Sequence, residues 1–175
     1  MKEVELDTFD IASRGGQAVA GEIREQLVEP FITAARVALG EMAATEVAVR
    51  AVYQAALPHT LGDIAAVLGL QSATEGFLVL GFPRRTAEAL AGRILAGVKD
   101  EVDENLIRDC VGEMGNVVAG QAKAILADTP YRFSFSLPEV VVGPKELLPR
   151  PGLDCLVVAF GSDPGEFTLQ LFLKR

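Results

Sequence analysis

The spacing of apolar residues in this chain changes period several times, and each change marks an element. Between residues 22 or 28 and 44, Phe31, Ile32, Ala35, Val37, Ala38, Leu39 and Met42 recur at helical spacing. They predict a first helix whose main segment opens at Pro30, a residue suited to a first turn. From Glu46 the pattern alternates. In EVAVRAVYQA, Val47, Val49 and Ala51 oppose Ala48, Arg50 and Val52, as in a strand. DIAAVLGLQSATEGFLVLGFP reads as two apolar strands around a polar turn at 71–76, a hairpin. Residues 86–98 are amphipathic, with Thr86 a candidate N-cap. A long helix is predicted over 101–127, entered through an acidic run that suits its dipole and closed by Asp128-Thr129-Pro130. Three strands follow: the alternating FSFSLPEVVVGP, then CLVVAFGS, then EFTLQLFLKR, the last two joined by the turn Ser162-Asp163-Pro164-Gly165. The order α-β-β-β-α-α-β-β-β predicts an α+β fold with helices packed on one face of a largely antiparallel sheet. Residues 1–21 read as a weakly ordered N-terminal extension and 22–175 as the domain.

The long helix carries two unlike faces. Ile107, Val111, Met114, Val118, Gln121 and Ile125 form one stripe, the expected core face. Asp109, Glu113, Asn116 and Gly120 form a nearly opposite one, with Gly112, Gly115 and Ala119 beside it. Each glycine inside a helix costs roughly 1 kcal/mol relative to alanine. A polar stripe alone fits an ordinary solvated face; glycines beside it suggest a surface that something must approach closely. There is also an internal echo. GEMAA at 40–44 and GEMGN at 112–116 both belong to helices that lead into strands, which suggests a duplicated half-domain with Ala44 in the place of Asn116.

Composition narrows the chemistry. A net charge of −8 argues against a nucleic-acid partner, which clustered Lys and Arg would hold. No apolar run reaches the ~18 residues of a membrane span, and the acidic N-terminus lacks the layout of a signal peptide. Two cysteines do not make a disulfide scaffold and suit the reducing cytoplasm. His59 is the sole histidine, which leaves no zinc site and removes most histidine catalysis. Carboxylates and amides remain. The carboxamide of Asn116 can hold a water for attack on phosphorus, and the Glu113 carboxylate, one turn away, can pair with a partner's cation. Two weaker candidates are GFPRR at 81–85, as an anion site or a plain strand-to-helix turn, and the acidic 100–104, as a cation site or a solvated helix start.

DCVGEMGNVVAGQAKAIL followed by FSFSLPEVVVGPKE resembles the CheC/CheX/FliY family of chemotaxis phosphatases, as does PFITAARVALGEMA near the start. That family's signature is Asp or Ser, three residues, Glu, two residues, Asn, and a Pro about twenty-two residues later; Asp109, Glu113, Asn116 and Pro138 match it. A single signature is most similar to CheX. The resemblance implies hydrolysis of the aspartyl-phosphate of a CheY-like response regulator. Glu113 would dock the receiver's lysine and Asn116 would orient the attacking water, supported by Asp109 and Pro138. The bare surface at Gly112, Gly115 and Gly120 would admit the receiver. No cofactor of its own is implied, because Mg²⁺ and the phosphoryl group belong to the receiver. The resemblance also implies a homodimer joined through sheet edges, with EFTLQLFLKR or FLVLGF as the long apolar edge. Two other readings stay open: a non-catalytic adaptor that binds a receiver or a CheD-like partner, and a sheet-mediated assembly protein related to flagellar switch components. The intact Glu113 and Asn116 favour the enzyme.

Overall fold

In a computed structural model, residues 17–55, 59–71, 75–143, 146–147 and 153–174 are described. Among these residues three helices, α1 (Gln17–Ala43), α2 (Arg84–Ile94) and α3 (Glu104–Leu126), accompany nine strands. The strands are β1 (Val47–Ala55), β2 (His59–Thr60), β3 (Ile64–Gln71), β4 (Gly76–Phe82), β5 (Ser134–Phe135), β6 (Glu139–Val142), β7 (Glu146–Leu147), β8 (Leu153–Ser162) and β9 (Glu166–Lys174). The main sheet runs β1-β8-β9-β4-β3, with β5 and β6 both on the far side of β3, and every pairing is antiparallel. The predicted α+β architecture holds. The short pair β2·β7 is an addition to it.

Exchanging the two halves of the chain leaves the sheet order unchanged. Swapping β1 with β6, β3 with β8 and β4 with β9 turns β1-β8-β9-β4-β3-β6 into its own reverse. The matching helices α1 and α3 pack against each other. This internal two-fold relation accords with the GEMAA/GEMGN echo. The echo falls differently on the two helices, however. Gly112–Asn116 lies within α3, whereas Ala43 ends α1 and Ala44 turns to φ +46°, with Thr45 N–H donating back to Leu39 O at 3.1 Å. Ala44, the match to Asn116, is therefore off the helix.

The main core lies between the helices and one sheet face. Phe31, Ala35, Ala38 and Leu39 of α1 and Val111, Met114, Val118 and Ala122 of α3 meet Ile64, Ala66, Leu68, Leu78 and Leu80 there. Phe160, Phe167 and Phe82 stack in series at centroid separations of 4.9 and 5.3 Å. A smaller cluster, Leu61, Ala65, Val79, Cys155, Val157 and Phe172, occupies the other sheet face.

Several expectations need correction. Helix α1 begins at Gln17, so part of the stretch assigned to the extension is helical, while residues 1–16 lie outside the described residues. Pro30 is inside α1 and does not open it, although the missing N–H removes one helical bond there. Helix α2 starts at Arg84, and its first amide is met by Asp63, whose carboxylate accepts from Arg84 N–H at 2.9 Å; Thr86 is buried and is not the cap. That carboxylate occupies the helix start where GFPRR suggested an anion site. The strand expected from FSFSLPEVVVGP breaks into β5 and β6 around Ser136-Leu137-Pro138. Finally, β9 lies between β8 and β4, and β4 between β9 and β3, so neither is an edge. Their apolar character comes from central position, with neighbours on both sides.

Candidate functional site

Helix α3 is held firmly at its start. Asp103 is the N-cap, and its carboxylate accepts from Leu106 N–H at 2.9 Å. Glu104 pairs with Arg84 of α2, so the acidic run expected to enter the helix serves as cap and ion pair. Among the described residues no group of three His, Cys, Asp or Glu side chains is placed to hold a metal ion.

The buried face of α3 comprises Ile107, Cys110, Val111, Met114, Val118, Ala119, Ala122 and Leu126. The expected core stripe stops short of its last residue: Ile125, five full turns from Ile107 and so on the same side of the helix, is 44% exposed, and Leu126 is buried instead. Burial, aided by the Asp109 charge, pushes the Cys110 thiol above its usual pKa. The opposite stripe is where the spacing placed it. Asp109 and Glu113 are exposed, and Asn116 and Gly120 are half-buried. Among the described residues, Glu113 and Asn116 have no hydrogen-bond or ion-pair partner. Their polar groups are free for an outside ligand.

Two of the three glycines face the other way. A Cβ on Gly115 would lie 2.7 Å from Ala66 Cβ and 3.2 Å from Leu68 Cδ1, both on β3. A Cβ on Gly112 would lie 3.2 Å from Val140 Cγ2 and 3.9 Å from Pro138 Cγ. Both residues are buried. They let α3 sit close on β3 and β6, and they do not form a surface for a partner. Only Gly120 has nothing within 4 Å of a Cβ and keeps the polar face open. Pro138 is thereby placed beside Gly112, next in sequence to Glu113, so all four signature residues border one patch. Arg108 reinforces this junction by donating to Val140 O at 3.4 Å.

The patch lies outside two clefts of the protein. A cleft of about 530 Å³ lies towards the other end of α3, lined by Gln71, Lys123, Ala127, Arg132 and Ser134, among others. A second, of about 350 Å³, includes Arg50, Tyr53, Asp63, Phe82 and Thr168. Neither includes Glu113 or Asn116. Side chains on the outer face of a helix are better placed to meet a partner than to enclose a small substrate. They can enter a partner's cavity.

Sequence reasoning missed Leu137. Alternation from Phe133 and Phe135 would turn it inward, yet it is 86% exposed beside Pro138. The signal available was the proline itself, which cannot donate to a ladder and so interrupts the strand.

The chain is an α+β protein with an antiparallel sheet, whose covering helix carries a polar Asp-Glu-Asn stripe. The chain belongs to the CheX family: the model for chemotaxis phosphatase CheX matches residues 64–161. It is 28% identical over 87 residues to the CheY-P phosphatase CheX of Thermotoga maritima, a match that covers 50% of this chain and 54% of that protein. It thus spans about half the length of that relative. A putative chemotaxis protein from Desulfovibrio vulgaris Hildenborough shares the fold with a TM-score of 0.77 at 26% identity, over 85% of this chain and 97% of that one. The CheX of Borrelia burgdorferi, solved as a CheX-CheY-BeF3-Mg²⁺ complex, has a TM-score of 0.67 at 21% identity, over 85% of this chain and 98% of that one.

Proposed function

We propose that this chain is a phosphatase that hydrolyses the aspartyl-phosphate of a CheY-like receiver domain in the cytoplasm. The observation that carries the reading is the pair Glu113 and Asn116 on one face of α3, the first exposed and the second half-buried, with no side-chain partner among the described residues. Glu113 docks on a lysine of the receiver through a charge-assisted hydrogen bond. That contact sets Asn116 over the acyl phosphate. Its carboxamide both donates and accepts, so it can fix a water in line with the bond to be broken. Asp109, one turn earlier, adds negative charge towards the same cation, and Pro138 fixes the strand beside the helix. The Mg²⁺ ion belongs to the receiver in this reading, and the chain supplies no metal of its own. The family match supports the activity, and the Borrelia burgdorferi complex with CheY, BeF3 and Mg²⁺ supports the choice of partner.

The chemistry asked of the protein is modest. An acyl phosphate already hydrolyses readily, so most of the acceleration comes from positioning one water. Misplacing a reacting group by about 1 Å can cost ~100-fold. Asn116→Ala should therefore lower kcat by roughly that factor and leave the affinity for the receiver nearly intact. Glu113→Ala should mainly raise KM. The test mixes the protein with phosphorylated receivers and Mg²⁺ and follows the loss of receiver phosphate. Equal decay with wild type, Asn116→Ala and buffer would sink the proposal, and binding without acceleration would make the chain an adaptor.

A further inference from the structure

Leu137 is the most exposed large apolar side chain among the described residues, at 86%. Its position is set by a break in the ladder along β3. Leu70 pairs with Phe135, and Ser136 is bound twice to Gly69. The Ser136 amide donates to Gly69 O at 3.0 Å, and Gly69 N–H donates to Ser136 Oγ at 2.9 Å. Pairing resumes with Val67 opposite Glu139. Leu137 and Pro138 therefore stand together opposite the single residue Leu68, which is a β-bulge. The extra residue reverses the alternation, so Leu137 turns out of the sheet where Phe133 turned in.

The bulge is tied to the candidate site at two points and to the helix beyond it at a third. Leu68, which it opposes, lies beneath Gly115, between Glu113 and Asn116 in the sequence of α3. Pro138 packs beside Gly112. Upstream, the Phe135 ring lies 5.8 Å from Lys123 Nζ, farther along the same helix. The segment 135–138 thus runs along α3 from Lys123 to Gly112, the chain neighbour of Glu113, and Leu137 stands exposed on that segment beside Pro138. It is clamped at Ser136 and braced at Pro138, so little ordering remains to be done on contact.

We propose that Leu137 is an apolar anchor for the receiver, buried against apolar surface beside the receiver's phosphorylated carboxylate. The inference rests on the phosphatase reading above and adds the contact that holds the partner while Asn116 acts. A leucine held on a fixed bulge beside polar groups matches the apolar core and polar rim of a docking interface.

The test uses the full chain with Leu137→Ala and Leu137→Asp, against CheY-type receivers from the same organism. Because the side chain is exposed, both variants should fold with wild-type circular dichroism and Tm. In phosphate-release assays, Leu137→Ala should raise KM about tenfold, the order expected of an anchor residue, with kcat within twofold, and Leu137→Asp should raise KM further. Asn116→Ala should show the opposite split. Direct binding to the receiver charged with beryllofluoride and Mg²⁺ should weaken by the same factor as KM. Unchanged KM and Kd in both variants, with an active wild type, overturn the anchor and leave the phosphatase reading standing. Wild type that binds the charged receiver without accelerating hydrolysis sinks the phosphatase reading, and tenfold weaker binding by Leu137→Ala still supports the anchor. No binding by wild type overturns both. A change in self-association with receiver affinity unaltered would assign Leu137 to a second copy of this chain and would also overturn it.

Discussion

The glycines of α3 show how far one residue's meaning depends on what faces it. In the sequence Gly112, Gly115 and Gly120 look alike. In the fold, a methyl on Gly115 would meet the Cβ of Ala66, which rides on strand backbone and cannot swing aside. Gly115→Ala must push α3 off β3, and overpacking of this kind costs ~1–3 kcal/mol. A methyl on Gly120 meets nothing. Gly120→Ala should instead stabilise the chain by ~0.5–1 kcal/mol, through better helix propensity and a less flexible unfolded state. Thermal or urea melts of the two variants should move in opposite directions. If both destabilise, Gly120 has a packing role that the open space around it denies. Assayed beside the melts, Gly120→Ala also reports whether a receiver needs that space, since it should lose turnover while gaining stability.

At the scale of elements, what was legible depended on whether the determinants were local. The periods of α1, β1, β3, β4, α3, β8 and β9 could be read because each is written in neighbouring residues. The polar stripe could be read because Asp109, Glu113 and Asn116 sit on one helix. Pairing could not, because β4 and β9, apolar along their length, could be edges or centre, and only the interleaving of the two halves decides it. Leu137 was missed for a related reason: a bulge exists only relative to its partner strand. The true edges change the expectation for a dimer. On one side are β5 and β6, of two and four residues, interrupted by Pro138 and so poor templates. On the other is β1, nine residues long, with Val52 and Tyr53 at 45% and 39% exposure and Arg50 its one charge. Two copies joined across a two-fold axis along β1 would extend both sheets and cover those side chains. Sedimentation equilibrium should give twice the 18.6 kDa of one chain, and Val52→Lys with Tyr53→Lys should return it to one. A wild type that stays monomeric at about 100 μM, well above a micromolar Kd, would remove the dimer.

At the scale of the whole molecule, the sheet is a shared wall between two unequal cores. The helices seal one face, and the smaller cluster around Cys155, Val157 and Phe172 lies on the other. Cys155 sits within β8, paired to Ala55 of β1 on one side and Phe172 of β9 on the other. Burial there pushes its pKa up from 9.0 to about 12, and Cys110 moves the same way. Well below pH 9 the thiol is protonated in both folded and unfolded chains, and the pH-dependent term is silent. Between pH 9 and about 12 the unfolded chain releases a proton that the native chain still holds, so the unfolded state is favoured and stability falls as pH rises. Urea midpoints of wild type should therefore drop more steeply from pH 8.5 to 10.5 than those of Cys155→Ala, in which this proton is absent from both states. Superimposable slopes would mean that the far face of the sheet admits water and that the thiolate is tolerated there. Such access would also let a thiol reagent label Cys155 in the folded protein, whereas a dry far face confines labelling to the rate at which β8 separates from its neighbours.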